Sequence, residues 1–276
     1  MDKFVIRGGK KLSGRVTVSG AKNSVLALMP ATLLNNGRNI INNVPEVADT
    51  YTMLKLLNFL GVEFNFENHR LTVDTSTITH QEAPYEHVKK MRASVYVLGP
   101  LLARYKSAKV SLPGGCAWGP RPINLHLEAL KKLNAEIELE EGYILAKCKE
   151  LIGAKIHFDI SSVGATGNTI MAATLAKGTT LITNAATEPE IVELEKSLVK
   201  MGARIDGIGT STVEIEGVDE LLPIEMNNIP DRIEAGTLMI SAAMTKGRIT
   251  LEKVEPSHLE TIIYKLEDSG VKCNVH

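Results

Sequence analysis

The chain has 276 residues, 44% of them hydrophobic and 23% charged, with a mean hydropathy of +0.01. These are the proportions of a globular protein of one large domain or two ordinary ones. Lys and Arg number 31 against 32 Asp and Glu, a net charge of −1, which argues against nucleic acid or an anionic membrane as the main partner while leaving room for a local cationic site.

The first residues, MDKFVIRGGKKLSG, lack the apolar run of a signal peptide. The longest nearly uncharged apolar stretch, 93–103, has 11 residues and contains Pro100, where a membrane span needs roughly 20. Cys116, Cys148 and Cys273 are too few and too scattered for a disulfide framework or a metal knuckle, so a reducing, cytoplasmic setting is expected.

In chain order, one pattern recurs four times: an apolar helix, a short strand, an amphipathic helix with a sharp stop, and an alternating hairpin. Copy one reads as helix 24–34, strand 39–44, helix 50–60, then VEFNF and HRLTVD. Copy two reads as helix 93–105, KVSLP, helix 125–133, then AEIELEEGYILAK. Copy three runs from NTIMAATLA through TTLITNA and helix 191–201 to ARIDGIG and TVEIEG. Copy four has TLMISAAM, RITLEKV, helix 259–268 and VKCNVH as a first hairpin strand, which would put Cys273, like Cys148, in a strand. The second helices stop at Gly61, Asn134, Gly202 and Gly270, steps of 73, 68 and 68 residues. Glycine, and asparagine after it, suits the left-handed residue that ends a helix. The fold class expected is α/β, built from repeated αβαββ units. Copy four stops at His276 without its second hairpin strand, and a C-terminally truncated chain is the expectation.

Candidate chemistry gathers where each copy's first helix begins. Gly20-Ala21-Lys22-Asn23-Ser24 opens the first, Lys89-Lys90-Met91-Arg92 the second, Ser161 to Asn168 the third and Asp231-Arg232 the fourth. A helix start offers free N–H groups and the positive end of the dipole, which suit phosphate or carboxylate. Ordinary capping would account for any one of these starts, but cations recurring at one position of the repeat favour anion binding. A fourth segment, Pro113 to Pro122, has three glycines and three prolines in ten residues around Cys116, which suits a loop with a reactive thiol. His126 is expected on a helix surface. No HExxH or CxxC spacing occurs, so no metal and no cofactor are expected.

The motifs GAKNSVLALMPATLL at 20–34, MRAS at 91–94, PGGCAWGPRP at 113–122, SVGAT at 162–166, TEPEIVELE at 187–195 and PDRIEAGT at 230–237 span the chain. On these motifs it resembles the UDP-N-acetylglucosamine enolpyruvyl (1-carboxyvinyl) transferases of the EPSP synthase-like superfamily. That resemblance implies two inside-out α/β barrel domains closing on a cleft. One complete three-repeat domain would occupy 22–229, with 1–21 and 230–276 forming part of a second. The implied reaction transfers the enolpyruvyl group of phosphoenolpyruvate to the 3′-hydroxyl of UDP-N-acetylglucosamine with release of phosphate, the first committed step of peptidoglycan precursor synthesis. Cys116 would be the lid's proton donor and the thiol that bonds fosfomycin. Lys22, Arg92 and Arg121 would grip phosphoenolpyruvate and phosphates, with Lys22 and Arg121 counted as catalytic beside Cys116. Asn23 would orient the sugar. Arg121, Pro122, Ile123, Asn124 and Leu125, with Ser162, Val163 and Gly164, would hold the uridine and diphosphate. Glu188, Asp231 and Arg232 complete the substrate-binding set.

Asn124 stands where many members carry Asp, and Ile160 where some carry a phosphate-facing Lys. The family's catalytic aspartate and two further arginines would fall beyond residue 276. A monomer with small-molecule substrates is implied, with no nucleic-acid or membrane partner. A non-catalytic UDP-sugar-binding remnant is the rival from another class. The shikimate 3-phosphate sibling is the rival enzyme, and Cys116 speaks against it. Trp118 lies two residues from Cys116. Saturation with UDP-N-acetylglucosamine is expected to change its fluorescence, and no change in a folded sample would remove both the binding and the lid assignment.

Overall fold

A computed structural model of the chain describes residues 3–112 and 123–276. Two compact units are present, one of Lys22–Asn228 and one of Met1–Ala21 with Ile229–His276.

Strand β1 (Ser13–Thr17) precedes the larger unit, which opens with α1 (Lys22–Ala31), β2 (Arg38–Asn42), α2 (Ala48–Phe59) and the hairpin β3 (Glu63–Glu67) and β4 (Arg70–Asp74). Next come β5 (Glu82–Ala83), the single turn α3 (Tyr85–Val88), a 3-10 turn Arg92–Val97, α4 (Leu98–Tyr105), β6 (Ser107–Ser111), α5 (Asn124–Lys132), and β7 (Glu136–Glu140) with β8 (Tyr143–Lys147). The third set is β9 (Lys155–His157), α6 (Val163–Ala173), β10 (Thr179–Thr183), α7 (Pro189–Lys200), β11 (Arg204–Asp206) and β12 (Thr212–Glu216). Strand β13 (Glu225–Asn227) closes the unit. The smaller unit continues with α8 (Arg232–Met244), β14 (Arg248–Glu252) and α9 (Glu260–Asp268).

The first helices of copies one to three are rich in apolar and small residues, which favours burial all round. Ser24–Ala31 of α1, Leu98–Ala103 of α4 and Ala165–Ala173 of α6 are buried without a break. These three pack with the amphipathic α2, α5 and α7 into one core. The sheets lie outside, with one face exposed, as in the alternating pattern of β12. The larger unit is therefore an α/β fold with helices inside and sheets outside.

Its three four-stranded sheets share one order: β13-β2-β4-β3, β5-β6-β8-β7 and β9-β10-β12-β11. In each, the outer strand runs parallel to its neighbour and the other pairs are antiparallel. That outer strand is an element the sequence-derived repeat lacks. With two or three residues and one buried side chain each (Ala83, Ile156, Met226), it is too short to register as alternation. Copy one borrows its outer strand from β13 at the far end, which ties residues 225–227 to the first sheet. Copy four does the same with β1, parallel to β14.

Three expectations need correcting. The helix expected over 93–105 is a 3-10 turn followed by α4. Pro100 lacks an N–H and its ring would clash with the carbonyl four residues earlier, so the α-helix begins at Leu98 with Pro100 in its first turn. Residues 271–276 form no strand, because the chain holds no fourth-copy counterpart of β4, β8 or β12 to pair with them. Cys273 thus lies outside any strand, and Cys148 falls just after β8, its thiol pushed up by burial.

The helix stops Gly61, Asn134, Gly202 and Gly270 all take positive φ, at 98°, 72°, 107° and 85°. Space differs among them. A Cβ on Gly61 would come within 2.7 Å of the Thr77 carbonyl oxygen, whereas one on Gly202 would meet nothing within 4 Å. Gly202→Ala should cost about 1 kcal/mol of stability from backbone strain alone. Gly61→Ala should lose about 1–3 kcal/mol more from the added crowding, read as a larger drop in urea midpoint at unchanged slope.

Candidate functional site

Helix α6 begins with a cap made by its own sequence. The Ser162 hydroxyl accepts a hydrogen bond from the Ala165 N–H at 3.3 Å, while the N–H groups of Val163 and Gly164 belong to the unbonded first turn. Tyr96, buried on the 3-10 turn, donates its hydroxyl to the Val163 carbonyl at 3.2 Å. Burial raises this phenol, and the carboxylates of Glu190 and Glu188 add to the effect. Those acids lie at the start of α7, whose first residue is Pro189.

The side-chain amide of Asn168 joins these segments from below. Its Oδ1 accepts from the Gly99 N–H at 2.7 Å, and its Nδ2 donates to the Val95 carbonyl at 3.0 Å and to His126 Nδ1 at 3.1 Å. His126 is 2% exposed, on the inner face of α5, so the expectation of a surface histidine is corrected. The reason is packing: the ring edge lies under Gly164, where a Cβ would come within 3.0 Å of Cε1 and Nε2. Burial, with the Arg92 charge adding to it, lowers the imidazole to about 4, so it is neutral at physiological pH.

Arg92, Ile123, Asn124, Leu125, Ser162, Val163, Gly164 and Glu188 are thereby drawn into one neighbourhood of the larger unit. Arg92 is half-buried at the start of the 3-10 turn, and Asn124 is exposed at the start of α5. The combination of a guanidinium and an open helix start suits an anion. Ile160 is 72% exposed just ahead of the cap.

Lys22 is the first residue of α1, with Nζ 3.1 Å from Asp49 Oδ2 at the start of α2, and Asn23 beside it is exposed. In the smaller unit Asp231 caps α8, its Oδ1 accepting from the N–H groups of Ile233 at 2.8 Å and Glu234 at 3.0 Å. Arg232 follows it, half-buried. Cys116, Arg121, Pro122 and Trp118 lie outside the described residues.

Sequence reasoning placed Asn168 in the Ser161–Asn168 run facing an anion rather than as a buried amide, and it missed Tyr96, which reads as an ordinary member of an apolar helix. It also missed Glu195 on α7. This carboxylate is 1% exposed, its Oε2 accepts from the Gly209 N–H at 3.0 Å, and its Oε1 has no partner among the described residues. Burial raises it to about 7 against the weaker pull of Gly209.

Among solved structures the fold is that of the enolpyruvyl transferases. NikO from Streptomyces tendae superposes with a TM-score of 0.87 at 23% identity, over 98% of this chain and 65% of that one. An EPSP synthase from Acinetobacter baumannii gives 0.74 at 19%, over 95% and 60%. The family model for EPSP synthase (3-phosphoshikimate 1-carboxyvinyltransferase) matches residues 6–276, and the chain belongs to that family. Within it, UDP-N-acetylglucosamine 1-carboxyvinyltransferase of Chloroherpeton thalassium is 62% identical over 278 residues, covering 100% of this chain and 64% of that protein. The namesake of Chlorobium limicola is 55% identical over 273 residues, 98% and 64%. The chain thus spans 64% of the length of these curated relatives. No described helix is long and apolar enough to cross a membrane.

Glu195 sets a pH signature. Its folded value lies above the ordinary 4.5, so the folded state holds a proton that the unfolded chain releases near 4.5. Stability should therefore fall as pH climbs from about 4.5 to about 7, then level off. Glu195→Gln should flatten that slope and gain on the order of 2 kcal/mol at pH 8, as read by chemical denaturation at several pH values.

Proposed function

We propose that the chain is part of a UDP-N-acetylglucosamine 1-carboxyvinyltransferase, and that the larger unit carries its nucleotide-sugar subsite. The observation that carries this reading is the gathering of Arg92, the start of α5 and the open first turn of α6 around one buried amide, in a chain 62% identical to a relative of that name. The diphosphate would lie against the Val163 and Gly164 N–H groups and the Arg92 guanidinium, with Ile123, Asn124 and Leu125 along the uridine. Fixed cations and a helix start do not reorganise as charge moves, which is what an anionic reaction needs.

In the proposed reaction the sugar 3′-hydroxyl gives its proton to a general base as its oxygen bonds to C2 of phosphoenolpyruvate, while Cys116 delivers a proton to C3. The resulting tetrahedral adduct then loses phosphate and a C3 proton, which restores the double bond on the new ether. Lys22 and Arg121 would hold the phosphoenolpyruvate charges, Asn23 the sugar, and Glu188, Asp231 and Arg232 would complete the substrate contacts. This would be the first committed step of peptidoglycan precursor synthesis, in the cytoplasm, by a monomer that fosfomycin alkylates at Cys116.

Phosphate release from phosphoenolpyruvate, with UDP-N-acetylglucosamine present or absent, tests the reading. The 276-residue chain by itself is expected to release none, since the family's catalytic aspartate and two further arginines would fall beyond residue 276, whereas a chain extended past His276 should show release that requires the nucleotide sugar and disappears in Cys116→Ala. Release that requires shikimate 3-phosphate instead would overturn the substrate assignment.

A further inference from the structure

The Asn168 amide can be oriented in one way only. Its Oδ1 faces the Gly99 N–H, which is a donor, and its Nδ2 faces the Val95 carbonyl, which is an acceptor. The same Nδ2 lies 3.1 Å from His126 Nδ1, so that ring nitrogen must accept, and a neutral imidazole then carries its proton on Nε2. The Nε2 edge is the one packed beneath Gly164. Asn168 is 0% exposed, and a Cβ on Gly99 would approach its Oδ1 to 2.3 Å, so backbone and amide are in direct contact. One side chain thus bonds the helix that carries Ser162 to Gly164, the segment that carries Arg92 and the helix that carries Ile123 to Leu125.

We propose that His126 and Asn168 are a buried positioning pair for the diphosphate end of the site, with Asn168 fixing the imidazole as the Nε2–H tautomer and the ring fixing the first turn of α6 over the start of α5. Neither residue needs to touch substrate. A neutral ring also leaves Arg92, the charged group whose field reaches it, without a competing cation beside the anion it would bind. The inference rests on the functional reading above. It adds that nucleotide-sugar affinity depends on a hydrogen bond beneath the site.

The test uses the 276-residue chain, with UDP-N-acetylglucosamine as the calorimetric probe and nitrogen-resolved NMR of the imidazole. The His126 ring should remain the neutral Nε2–H form from pH 5 to 8, and affinity should stay flat over that range. His126→Leu, which removes the acceptor, should weaken binding by about tenfold or more, the scale expected when binding groups are misplaced by a fraction of an ångström. His126→Asn, which returns an acceptor near the Nδ1 position, should recover most of that loss. Asn168→Asp cannot donate and would draw a proton onto the ring, so its affinity should become pH-dependent between 5 and 8. This variant keeps the idea exposed if His126→Leu does not fold.

A ring titrating near 6.5, or a His126→Leu protein that binds like the parent, would overturn the inference and leave the functional reading standing. A parent chain that does not bind the nucleotide sugar would sink that reading and the inference with it.

Discussion

Three helices, each buried without a break over six to nine residues, sit together at the centre of the Lys22–Asn228 unit, and its architecture follows from that constraint. Burying α1, α4 and α6 together leaves no room for sheets at the centre, so the strands are pushed outward with one face to solvent. It also collects helix ends. The C-terminal ends, at 34–36, 103–106 and 175–178, line one groove of about 740 Å³. There Arg104 donates to the Leu33 and Thr75 carbonyls and Lys106 to the Ala103 carbonyl, so cations meet the negative ends of the dipoles. The opposite ends carry Lys22, Arg92 and the open turn of α6, where positive helix ends and side-chain cations add in sign.

Close approach makes this packing possible and sets its tolerance. Gly99 against Asn168, Gly164 against His126 and Gly167 against Tyr96 are contacts at which a Cβ would fall within 3.0 Å. The last two lie between elements that carry candidate binding residues. The polar groups caught there are matched rather than excluded: Asn168 makes three hydrogen bonds at full burial, and Tyr96 and His126 make one each. A buried polar group is tolerable only when its partners are in place, so the same bonds that satisfy these side chains also hold the helix starts in register. Glu195, by contrast, keeps one buried oxygen without a partner among the described residues. Burial raises its pKa to about 7, so it is a weaker acid than an ordinary carboxyl.

Much of the repeat was legible because its signals are local. Gly61, Asn134, Gly202 and Gly270 announce left-handed stops from residue type alone, and all four adopt them. The hairpins between β3 and β4 and between β7 and β8 turn through Asn68-His69 and Glu141-Gly142, each pair at positive φ. The outer strands β5, β9 and β13 escaped notice because they exist only through partners far away in the chain, Met226 pairing with Ile41 being one case. His126 was misplaced for a related reason. A polar residue on a short helix reads as solvent-facing unless the buried amide that satisfies it, 42 residues further on, is known.

By itself the sequence determined the α/β class, the fourfold repeat and its phase, and the helix starts at which cations recur, because each depends on side-chain periodicity and on the backbone preferences of Gly, Asn and Pro. The tertiary structure decided which elements share a sheet, that β13 and β1 complete the sheets of copies one and four, and that Asn168 and His126 lie beneath the helix starts. Those are relations between residues far apart in the chain. No local preference encodes them, since the free energy that selects them comes from burial and from satisfying polar groups after the helices have met.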